Sequence, residues 1–451
     1  MKLNTKYQNI SGLGKYFRLS NSPPVFCHGD REFLFDENNK KYIDLACGSG
    51  TSILGHNNKY INKSIKKIID EGVLHTGPHF ISSTHLKYFT ELSNFFKNKF
   101  EIFNMATNGS EATETALKLA FHHTKKNKIF YFTGSYHGRT GYSLLSSSMK
   151  GINKNIFKNK NFIECKFNDI DDFKKKFKIH KKDLAAVIIE PIQATSGFNF
   201  SNNNFLKSIK TLTKKNNSLL IFDEVWTGFG KTGFNFAFEY YDILPDIIIL
   251  GKSIGGGMPL GVIAFNKIIN HFHSGAQSST FQGNIISINT SYFLLKYLKK
   301  IEYLIKIKKI ANLIANKKES FKSFKFVKDF KGIGFMWGIE IDNSFFSDDD
   351  YTNKIRKVLL EKGLITWECG KKSNVIGLIP PLCISNKSLN KSFNIIFDTF
   401  KINDVIYVHR NKNGKWNLKQ YPKVNGAIVS DYAYSATTNI KFNTFTFKAG
   451  D

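Results

Sequence analysis

Short runs of apolar residues alternate with helical patterns through the middle of the chain. The apolar runs predict strands at Ile129–Thr133, Ala185–Glu190, Leu219–Asp223 and Asp246–Leu250. Strands that are apolar at every position are typical of sheets covered on both faces. Helices between such strands indicate the α/β class, with a mostly parallel sheet wrapped by helices.

The pattern changes along the chain and suggests its division into domains. Residues 31–45 alternate polar and apolar side chains, which predicts a hairpin that turns at Asn38-Asn39. From about 285 to 325 the pattern is long, Lys-rich and helical, and residues 326–400 mix short strands and helices. We therefore expect an N-terminal segment of the small domain at 1–60, a large domain at 61–300, a small α+β domain at 301–400 and an atypical, β-rich or disordered tail at 401–451.

The charge of the chain is strongly positive, at a formal +29. The excess comes from scattered Lys, because only five of the 65 basic residues are Arg. A protein dedicated to nucleic acid more often clusters Arg and Lys on one element, so we expect a solvated Lys-rich surface and no nucleic-acid partner. A polyanion partner is the alternative.

The five cysteines are widely spaced and form no C-x-x-C motif. This spacing predicts reduced thiols in the cytoplasm, with neither a disulfide framework nor a bound metal. The N-terminus has no basic start followed by an apolar stretch, so no signal peptide is expected. No run of about 18 apolar residues occurs, so no association with a membrane is expected either.

A lysine, Lys252, stands directly after an apolar strand and before the run Gly255–Gly257. Strand ends in such sheets face the ligand crevice. Partial desolvation there lowers the pKa of a lysine and frees its amine for Schiff-base chemistry. The alternative is a surface lysine that caps a turn.

Two carboxylates, Asp223 and Glu224, end another apolar strand. A carboxylate at that depth can hold the nitrogen of a heteroaromatic cofactor ring protonated, which makes the ring an electron sink. A pair of metal ligands and a helix N-cap are the alternatives.

The segment Thr107–Ala112 opens a helix, and Asn108 and Glu111 have the spacing of a capping box. Gly109 and Ser110 place free N–H groups and a hydroxyl at a positive helix end, which suits a phosphate. A helix cap without a ligand is the alternative. The polar loop Ser278–Asn284 leads into another helix and is a further candidate phosphate contact.

An aromatic residue, Tyr136, and an arginine, Arg139, follow the end of the strand at 129–133. Tyr136 can stack on a cofactor ring, and the planar guanidinium of Arg139 can clamp a substrate carboxylate. A packed tyrosine and a surface arginine are the alternatives.

Taken in order, these segments resemble the class III aminotransferases, a family of fold-type-I pyridoxal 5′-phosphate enzymes. The similarity runs from about Pro23 to about Phe400, and the separation of 29 residues between Asp223 and Lys252 agrees with the family. The resemblance implies pyridoxal 5′-phosphate as cofactor. It also implies a large cofactor-binding domain with a mostly parallel seven-stranded sheet, plus a smaller α+β domain.

The resemblance implies a role for each residue near the cofactor ring. Lys252 would form the Schiff base and move the proton between the substrate carbon and the cofactor. Asp223 would pair with the pyridinium nitrogen, while Val225 would pack on the ring face opposite Tyr136.

The resemblance also implies contacts to the phosphate and the substrate. Gly109 and Ser110 would hold the phosphate, and Thr280 would bind the phosphate of the other subunit's cofactor, so the site would need a homodimer. Glu190 matches an acid near the substrate. Arg139 matches the arginine that, in ornithine- and 4-aminobutyrate-type members, grips the distal carboxylate of the substrate.

The chain departs from the family pattern at three places. Gly377 stands where members that use 2-oxoglutarate usually carry an Arg for its α-carboxylate, so either another cation substitutes or the substrates differ. Trp226 stands where many members have Gln near the 3′-oxygen of the cofactor. Residues 403–430 faintly resemble a stretch of bifunctional penicillin-binding proteins, but no S-x-x-K motif follows.

The sequence thus predicts a homodimeric aminotransferase that moves an amino group from an ω-amino or diamino acid to a 2-oxo acid. An aminomutase or epimerase on the same fold is the nearest alternative, because it needs no second dicarboxylate substrate. The alternative from another class is a non-catalytic basic protein that binds a polyanion.

Overall fold

The computed structural model describes residues 23–149, 159–273, 275–346 and 350–407. The strands are β1 (Phe26–Asp30), β2 (Phe33–Asp36), β3 (Lys41–Asp44), β4 (Ile102–Ala106), β5 (Lys128–Phe132), β6 (Phe162–Cys165), β7 (Leu184–Ile189), β8 (Ile192–Gln193), β9 (Asn199–Phe200), β10 (Leu219–Asp223), β11 (Ile247–Leu250), β12 (Gly261–Phe265), β13 (Val327–Ile333), β14 (Met336–Ile341), β15 (Leu364–Ile365), β16 (Trp367–Cys369) and β17 (Val375–Leu378).

Helices occur throughout these ranges. They are α1 (Cys47–Gly50), α2 (Lys59–Glu71), α3 (Ser83–Phe95), α4 (Gly109–Thr124), α5 (Gly141–Leu145), α6 (Ile170–His180), α7 (Asn203–Lys215), α8 (Ala237–Tyr241), α9 (Ile285–Leu298), α10 (Ile301–Ala315), α11 (Lys318–Phe321), α12 (Tyr351–Glu361) and α13 (Asn386–Tyr407). Two short 3₁₀ turns span Lys252–Gly255 and Asn343–Phe345. No helix of these ranges is long and apolar enough to cross a membrane.

A seven-stranded sheet with the order β4-β12-β11-β10-β7-β5-β6 forms the centre of the molecule. All neighbouring pairs are parallel except the two that involve β12, which is antiparallel to both β11 and β4. The expected α/β fold with a mostly parallel seven-stranded sheet is therefore confirmed. The four strands predicted from apolar runs are β5, β7, β10 and β11, with bounds within one residue of the prediction.

The central strands are buried on both faces, which explains why they lack polar alternation. Leu220 and Ile248 belong to the core on one face of the sheet, and Ile221 and Ile249 belong to the core on the other. Burying each such side chain contributes about 1.5–3 kcal/mol. Because β5, β7, β10 and β11 run parallel, their carboxyl ends lie together at one edge of the sheet.

Two four-stranded sheets have the orders β1-β2-β3-β15 and β13-β14-β17-β16, and β8 and β9 form a separate two-stranded sheet. The predicted hairpin is confirmed, since β2 and β3 pair antiparallel and Asn39 has a left-handed φ of 60° in the turn. β15 joins that sheet through the parallel pairing of Leu364 with Ile43, so residues distant in sequence complete it. The proposed domain boundaries remain predictions.

The long helical pattern at 285–325 forms three helices, α9, α10 and α11, instead of one. The first break lies at Lys300, whose backbone is extended (φ −71°, ψ 127°). At the C-terminus, residues 401–407 complete α13. The remainder of the predicted tail, with most of the segment that resembles penicillin-binding proteins, lies outside the described residues.

Candidate active site

The carboxyl ends of β5, β7, β10 and β11 carry the polar residues predicted for the site. Tyr136 follows β5, Glu190 follows β7, Asp223 ends β10 and Lys252 follows β11. These strands are neighbours in the order β11-β10-β7-β5. The four side chains are therefore brought to one edge of the sheet, where open α/β sheets bind ligands.

The backbone of Lys252 is left-handed, with φ 48°, and begins the 3₁₀ turn that follows β11. Its Nζ lies 4.4 Å from the centroid of the Trp226 ring. Burial lowers the pKa of Lys252 to about 8, although the carboxylates of Asp223 and Glu190 act in the opposite direction. At pH 7 about a tenth of this amine is therefore neutral and nucleophilic, far more than of an ordinary lysine.

The Asp223 carboxylate is 4% exposed and has two fixed partners. Its Oδ2 accepts a hydrogen bond from Nδ1 of His137 at 2.7 Å, and its Oδ1 accepts one from the backbone N–H of Val225 at 3.0 Å. Nε2 of the buried His137 has no hydrogen-bond partner among the described residues. The pair is held rigidly at the end of β10.

Glu190 lies beside this pair and is also buried. Its Oε1 accepts a hydrogen bond from the backbone N–H of Tyr136 at 2.8 Å. Burial raises the pKa of Glu190 well above its ordinary value, and the nearby charge of Asp223 adds to the effect.

The predicted phosphate segment forms the first turn of α4. Asn108 is the N-cap and accepts from the backbone N–H of Glu111 at 3.0 Å. The return bond of the capping box shifts by one residue, because the Glu111 carboxylate accepts from the N–H of Thr107 instead. Asn108 and Glu111, the two residues predicted for the capping box, therefore both cap the first turn of α4.

Glycines bring the helix start close to the residues around Asp223 and Tyr136. A Cβ at Gly109 would lie 3.2 Å from Cγ2 of Val225, and a Cβ at Gly138 would lie 2.5 Å from Oγ of Ser110. Gly138 also has a φ of 140°, which L side chains rarely adopt. Gly109, Ser110 and Val225 thus lie at one place, as predicted.

Two predicted residues lie farther out. Arg139 is exposed, and its guanidinium carbon lies 5.8 Å from the centroid of the Tyr136 ring. Thr280 is also exposed, and its carbonyl oxygen accepts a hydrogen bond from Nε2 of His75 at 2.6 Å. Its contacts within this chain do not assign it to the phosphate.

The surroundings of Gly377 are aromatic and tightly packed. A Cβ at Gly377 would lie 2.7 Å from Sγ of Cys369 and 3.1 Å from Cβ of Trp367. The Trp367 ring lies 5.7 Å from the Trp226 ring, so two indoles form an apolar wall near Lys252. The indole nitrogen of Trp367 is buried without a partner in the described part of the chain.

Three features of the site were not assigned from the sequence: two were not predicted, and one was left open between alternatives. His137 stands in the same segment as Tyr136, but nothing local marks it as the partner of Asp223. The second buried lysine, Lys231, is 1% exposed and donates to Oγ of Ser253 at 2.7 Å. Burial lowers the pKa of Lys231 to about 7, and the charge of Lys252 adds to this effect.

The third feature is the function of Glu224. Its carboxylate accepts hydrogen bonds from the backbone N–H groups of Ala237 and Phe238, at 2.6 and 2.8 Å, and from the hydroxyl of Thr227. It therefore caps the start of α8, as one of the alternatives proposed for the two acids at the end of β10. Burial raises the pKa of Glu224 to about 7.

The donor set at this edge fits pyridoxal 5′-phosphate and offers no metal site. Lys252 supplies a partly neutral amine, and the Asp223–His137 pair supplies a fixed anion for a ring nitrogen. Gly109 and Ser110 supply a helix start for a phosphate. Among the described residues, no group of three His, Cys, Asp or Glu is placed to hold a metal ion.

Comparisons with known proteins agree with this geometry. The family model described as aminotransferase class-III matches residues 20–400. The chain is 36% identical over 321 residues to the glutamate-1-semialdehyde 2,1-aminomutase of Wigglesworthia glossinidia brevipalpis, covering 68% of this chain and 72% of that protein. It is 30% identical over 392 residues to the acetylornithine aminotransferase of Aquifex aeolicus strain VF5, covering 85% and 98%.

A solved structure shows the same likeness. The acetylornithine aminotransferase of Elizabethkingia anophelis superposes with a TM-score of 0.75 at 25% identity, covering 88% of this chain and 98% of that one. The match to the family model spans most of the sequence, from before β1 into α13. The chain therefore belongs to the class III aminotransferases, a family of pyridoxal 5′-phosphate enzymes.

Proposed function

We propose that this aminotransferase takes the amino group of an ω-amino acid or a diamino acid and transfers it to a 2-oxo acid. The observation that carries the proposal is the environment of Lys252. Its amine has a pKa lowered to about 8 and stands at the same sheet edge as the Asp223–His137 pair and Arg139. This edge thus combines a nucleophilic amine, a fixed anion and a carboxylate anchor.

Each side chain has a defined task in this proposal. When bound, pyridoxal 5′-phosphate withdraws electrons from the carbon that carries the amino group. Asp223 would hold the proton on the ring nitrogen, and His137 fixes the orientation of that carboxylate. Tyr136 and Val225 would pack on the two ring faces, and Lys252 would accept and return the proton at the reacting carbon.

The phosphate contacts follow from the first turn of α4. Gly109 and Ser110 direct N–H groups and a hydroxyl towards an anion at the positive end of a helix of 16 residues. Burial raises the pKa of Glu190, so an acid that takes up a proton more readily than an ordinary glutamate lies next to the reacting groups.

The choice of amino donor follows from Arg139. Its planar fork suits one carboxylate, and its guanidinium carbon lies 5.8 Å from the centroid of the Tyr136 ring. A donor with its amine at one end and its carboxylate at the other satisfies both positions. Relatives named acetylornithine aminotransferase agree with this class of donor.

The visible spectrum of the purified protein tests the proposal. Amines are added one at a time, without acceptor, to protein loaded with pyridoxal 5′-phosphate. We expect the band of the lysine-bound cofactor to disappear with an ω-amino or diamino acid and to return with one 2-oxo acid. If no amine changes the band, the chain does not transfer amino groups.

An aminomutase is the second candidate, and one observation favours it. The relative that is 36% identical over 68% of the chain is named as an aminomutase. The two activities differ in their products, since an aminomutase returns an isomer and an aminotransferase releases an oxo product. Stoichiometric amination of an added 2-oxo acid would exclude the aminomutase.

We further propose that the enzyme is a homodimer in the cytoplasm, with Thr280 of each chain at the other chain's phosphate. Large apolar side chains near Thr280 are exposed in the single chain: Phe281 at 65%, Phe80 at 72% and Ile81 at 69%. His75 connects the two segments that carry them through its bond to the Thr280 carbonyl. Such a patch favours burial in a protein interface.

A further inference from the structure

Three polar side chains converge on Gly134, which follows β5 in the left-handed conformation (φ 81°). A Cβ at Gly134 would lie 2.6 Å from Oγ of Ser196, 2.9 Å from Oε1 of Gln193 and 2.8 Å from Cε of Lys371. Only a glycine admits this approach, because any side chain would displace all three. The group is two residues from Tyr136 and thus borders the active site.

The convergence is held by bonds between distant loops. The side-chain Nε2 of Gln193 donates to the carbonyl of Thr133 at 3.0 Å, which directs its oxygen towards Gly134. The backbone N–H of Gly370 donates to the carbonyl of Thr195 at 3.0 Å and ties the turn that carries Lys371 to the loop that carries Ser196.

The Ser196 hydroxyl and the Lys371 ammonium can each bind a further group. Ser196 is 5% exposed, yet its hydroxyl has no hydrogen-bond partner among the described residues. Buried hydroxyls are nearly always bonded, so an unbonded one beside an open site is a candidate donor to a ligand. Lys371 is exposed, and no carboxylate lies within ion-pair distance of it in the part of the chain that the structure describes.

The charges at this place favour an anion. The Lys371 ammonium is one bond beyond the Cε that would lie 2.8 Å from a Cβ at Gly134, so this cation stands beside the Ser196 hydroxyl and Oε1 of Gln193. Arg139 supplies a second cation beyond Tyr136 on the same segment. A carboxylate that bridged the ammonium and the Ser196 hydroxyl would form charge-assisted hydrogen bonds to both.

We propose that Lys371 and Ser196 form a carboxylate-binding subsite that takes one carboxylate of a dicarboxylic 2-oxo acid, with Arg139 taking the other. The proposal rests on the proposed function, since it assigns the acceptor of that same site. It also supplies a cation for the acceptor where Gly377 has none.

Binding of glutarate, a dicarboxylate that cannot react, tests the subsite on the protein loaded with pyridoxal 5′-phosphate. By calorimetry, we expect Lys371→Met to weaken glutarate binding by about ten- to a hundredfold, because a charged hydrogen bond is lost. Ser196→Ala should weaken it less, by about tenfold, and Lys371→Arg should retain most of the affinity. Lys372→Met is the matched control, since Lys372 is the exposed neighbour in the same turn and faces Asp342.

The kinetic counterpart is the KM for 2-oxoglutarate, which should rise in Lys371→Met with little change in kcat. The subsite is wrong if wild-type protein does not bind glutarate, or if Lys371→Met binds it as well as Lys372→Met does. Failure of the proposed function gives a different result: glutarate binding still depends on Lys371, but no amine alters the visible band.

Discussion

Nδ1 of His137 lies 2.7 Å from Oδ2 of Asp223, although 86 residues separate them in the chain. Both side chains are buried, at 3% and 4% exposed. A hydrogen bond to a charged group in such surroundings contributes about 1.5–3 kcal/mol. The histidine therefore fixes the orientation of the carboxylate and keeps it from turning towards other donors.

Replacing His137 should impair the enzyme without abolishing it. We expect His137→Phe to lower kcat/KM by about ten- to a hundredfold, because Asp223 loses the donor that orients it. Asp223→Ala should cost far more, since it removes the anion itself. The measurements are steady-state rates and the affinity for pyridoxal 5′-phosphate, obtained by titrating the cofactor-free proteins.

His137→Asn is the control for shape, because asparagine retains an N–H donor. It should recover part of the lost rate. Equal losses in the Phe and Asn variants would show that His137 acts by packing alone.

The amine of Lys252 should capture the cofactor with a pH dependence set by its lowered pKa. Only the neutral amine attacks, so the rate of capture by cofactor-free protein should rise with pH and level off above about 8. An ordinary lysine would keep gaining neutral fraction to about pH 10.4. Stopped-flow absorbance between pH 6.5 and 10 measures the profile, and a rate that still climbs steeply above pH 9 would contradict the lowered pKa.

Lys231 should make stability depend on pH. Its pKa is about 7 in the folded chain and near its ordinary value when unfolded, so the unfolded chain binds more protons between these limits. The free energy of unfolding should therefore rise with pH above 7. Relative to wild type, Lys231→Met should lose about 2–3 kcal/mol of this rise between pH 7 and 9.

Urea denaturation of the cofactor-free proteins measures that difference. Lys252, Cys47 and Glu224 are the titratable groups that act on Lys231, and all are retained in the variant. The comparison thus isolates one amine. Parallel curves for the two proteins across this range would mean that Lys231 is charged in the folded chain.

The sequence predicted the central sheet and the two residues at its strand ends for the same reason. Strands buried on both faces leave continuous apolar runs, and the carboxyl ends of parallel strands meet at one edge. Asp223 and Lys252 could therefore be assigned to one place without coordinates.

The remaining features depend on contacts between distant segments. His137 meets Asp223 from another strand end, and Lys371 reaches Gly134 from a turn more than 200 residues away. Glu224 and Asp223 are adjacent in sequence, yet opposite side-chain directions give one to α8 and the other to the site. The local sequence pattern does not show which of two adjacent acids faces the active site.

Gly377 shows how such contacts constrain substitution. An arginine there would meet Cys369 and Trp367, so Gly377→Arg should lower the free energy of unfolding by about 1–3 kcal/mol. In a Cys369→Ala background the same change should cost less, because the sulfur that lies 2.7 Å from the added Cβ is gone. A double-mutant cycle in urea measures the coupling, and equal costs in both backgrounds would mean that the strand moves to admit the arginine.

The exposed apolar patch around Thr280 predicts the oligomeric state. Wild-type protein should sediment as a dimer, and Phe281→Asp should shift it towards the monomer because a buried charge is costly at an interface. Ile268→Asp is the matched control. Ile268 is 82% exposed and follows the antiparallel strand β12, which places it at the opposite end of the sheet from Lys252.

Thr280→Val tests the shared phosphate site independently of dimer formation. This variant should remain a dimer but bind pyridoxal 5′-phosphate about tenfold more weakly, because one hydroxyl donor to the partner's phosphate is lost. Sedimentation and cofactor titration are measured on the same samples. A dimer with unchanged affinity would remove Thr280 from the phosphate site, whereas a wild-type monomer with full activity would remove the shared site altogether.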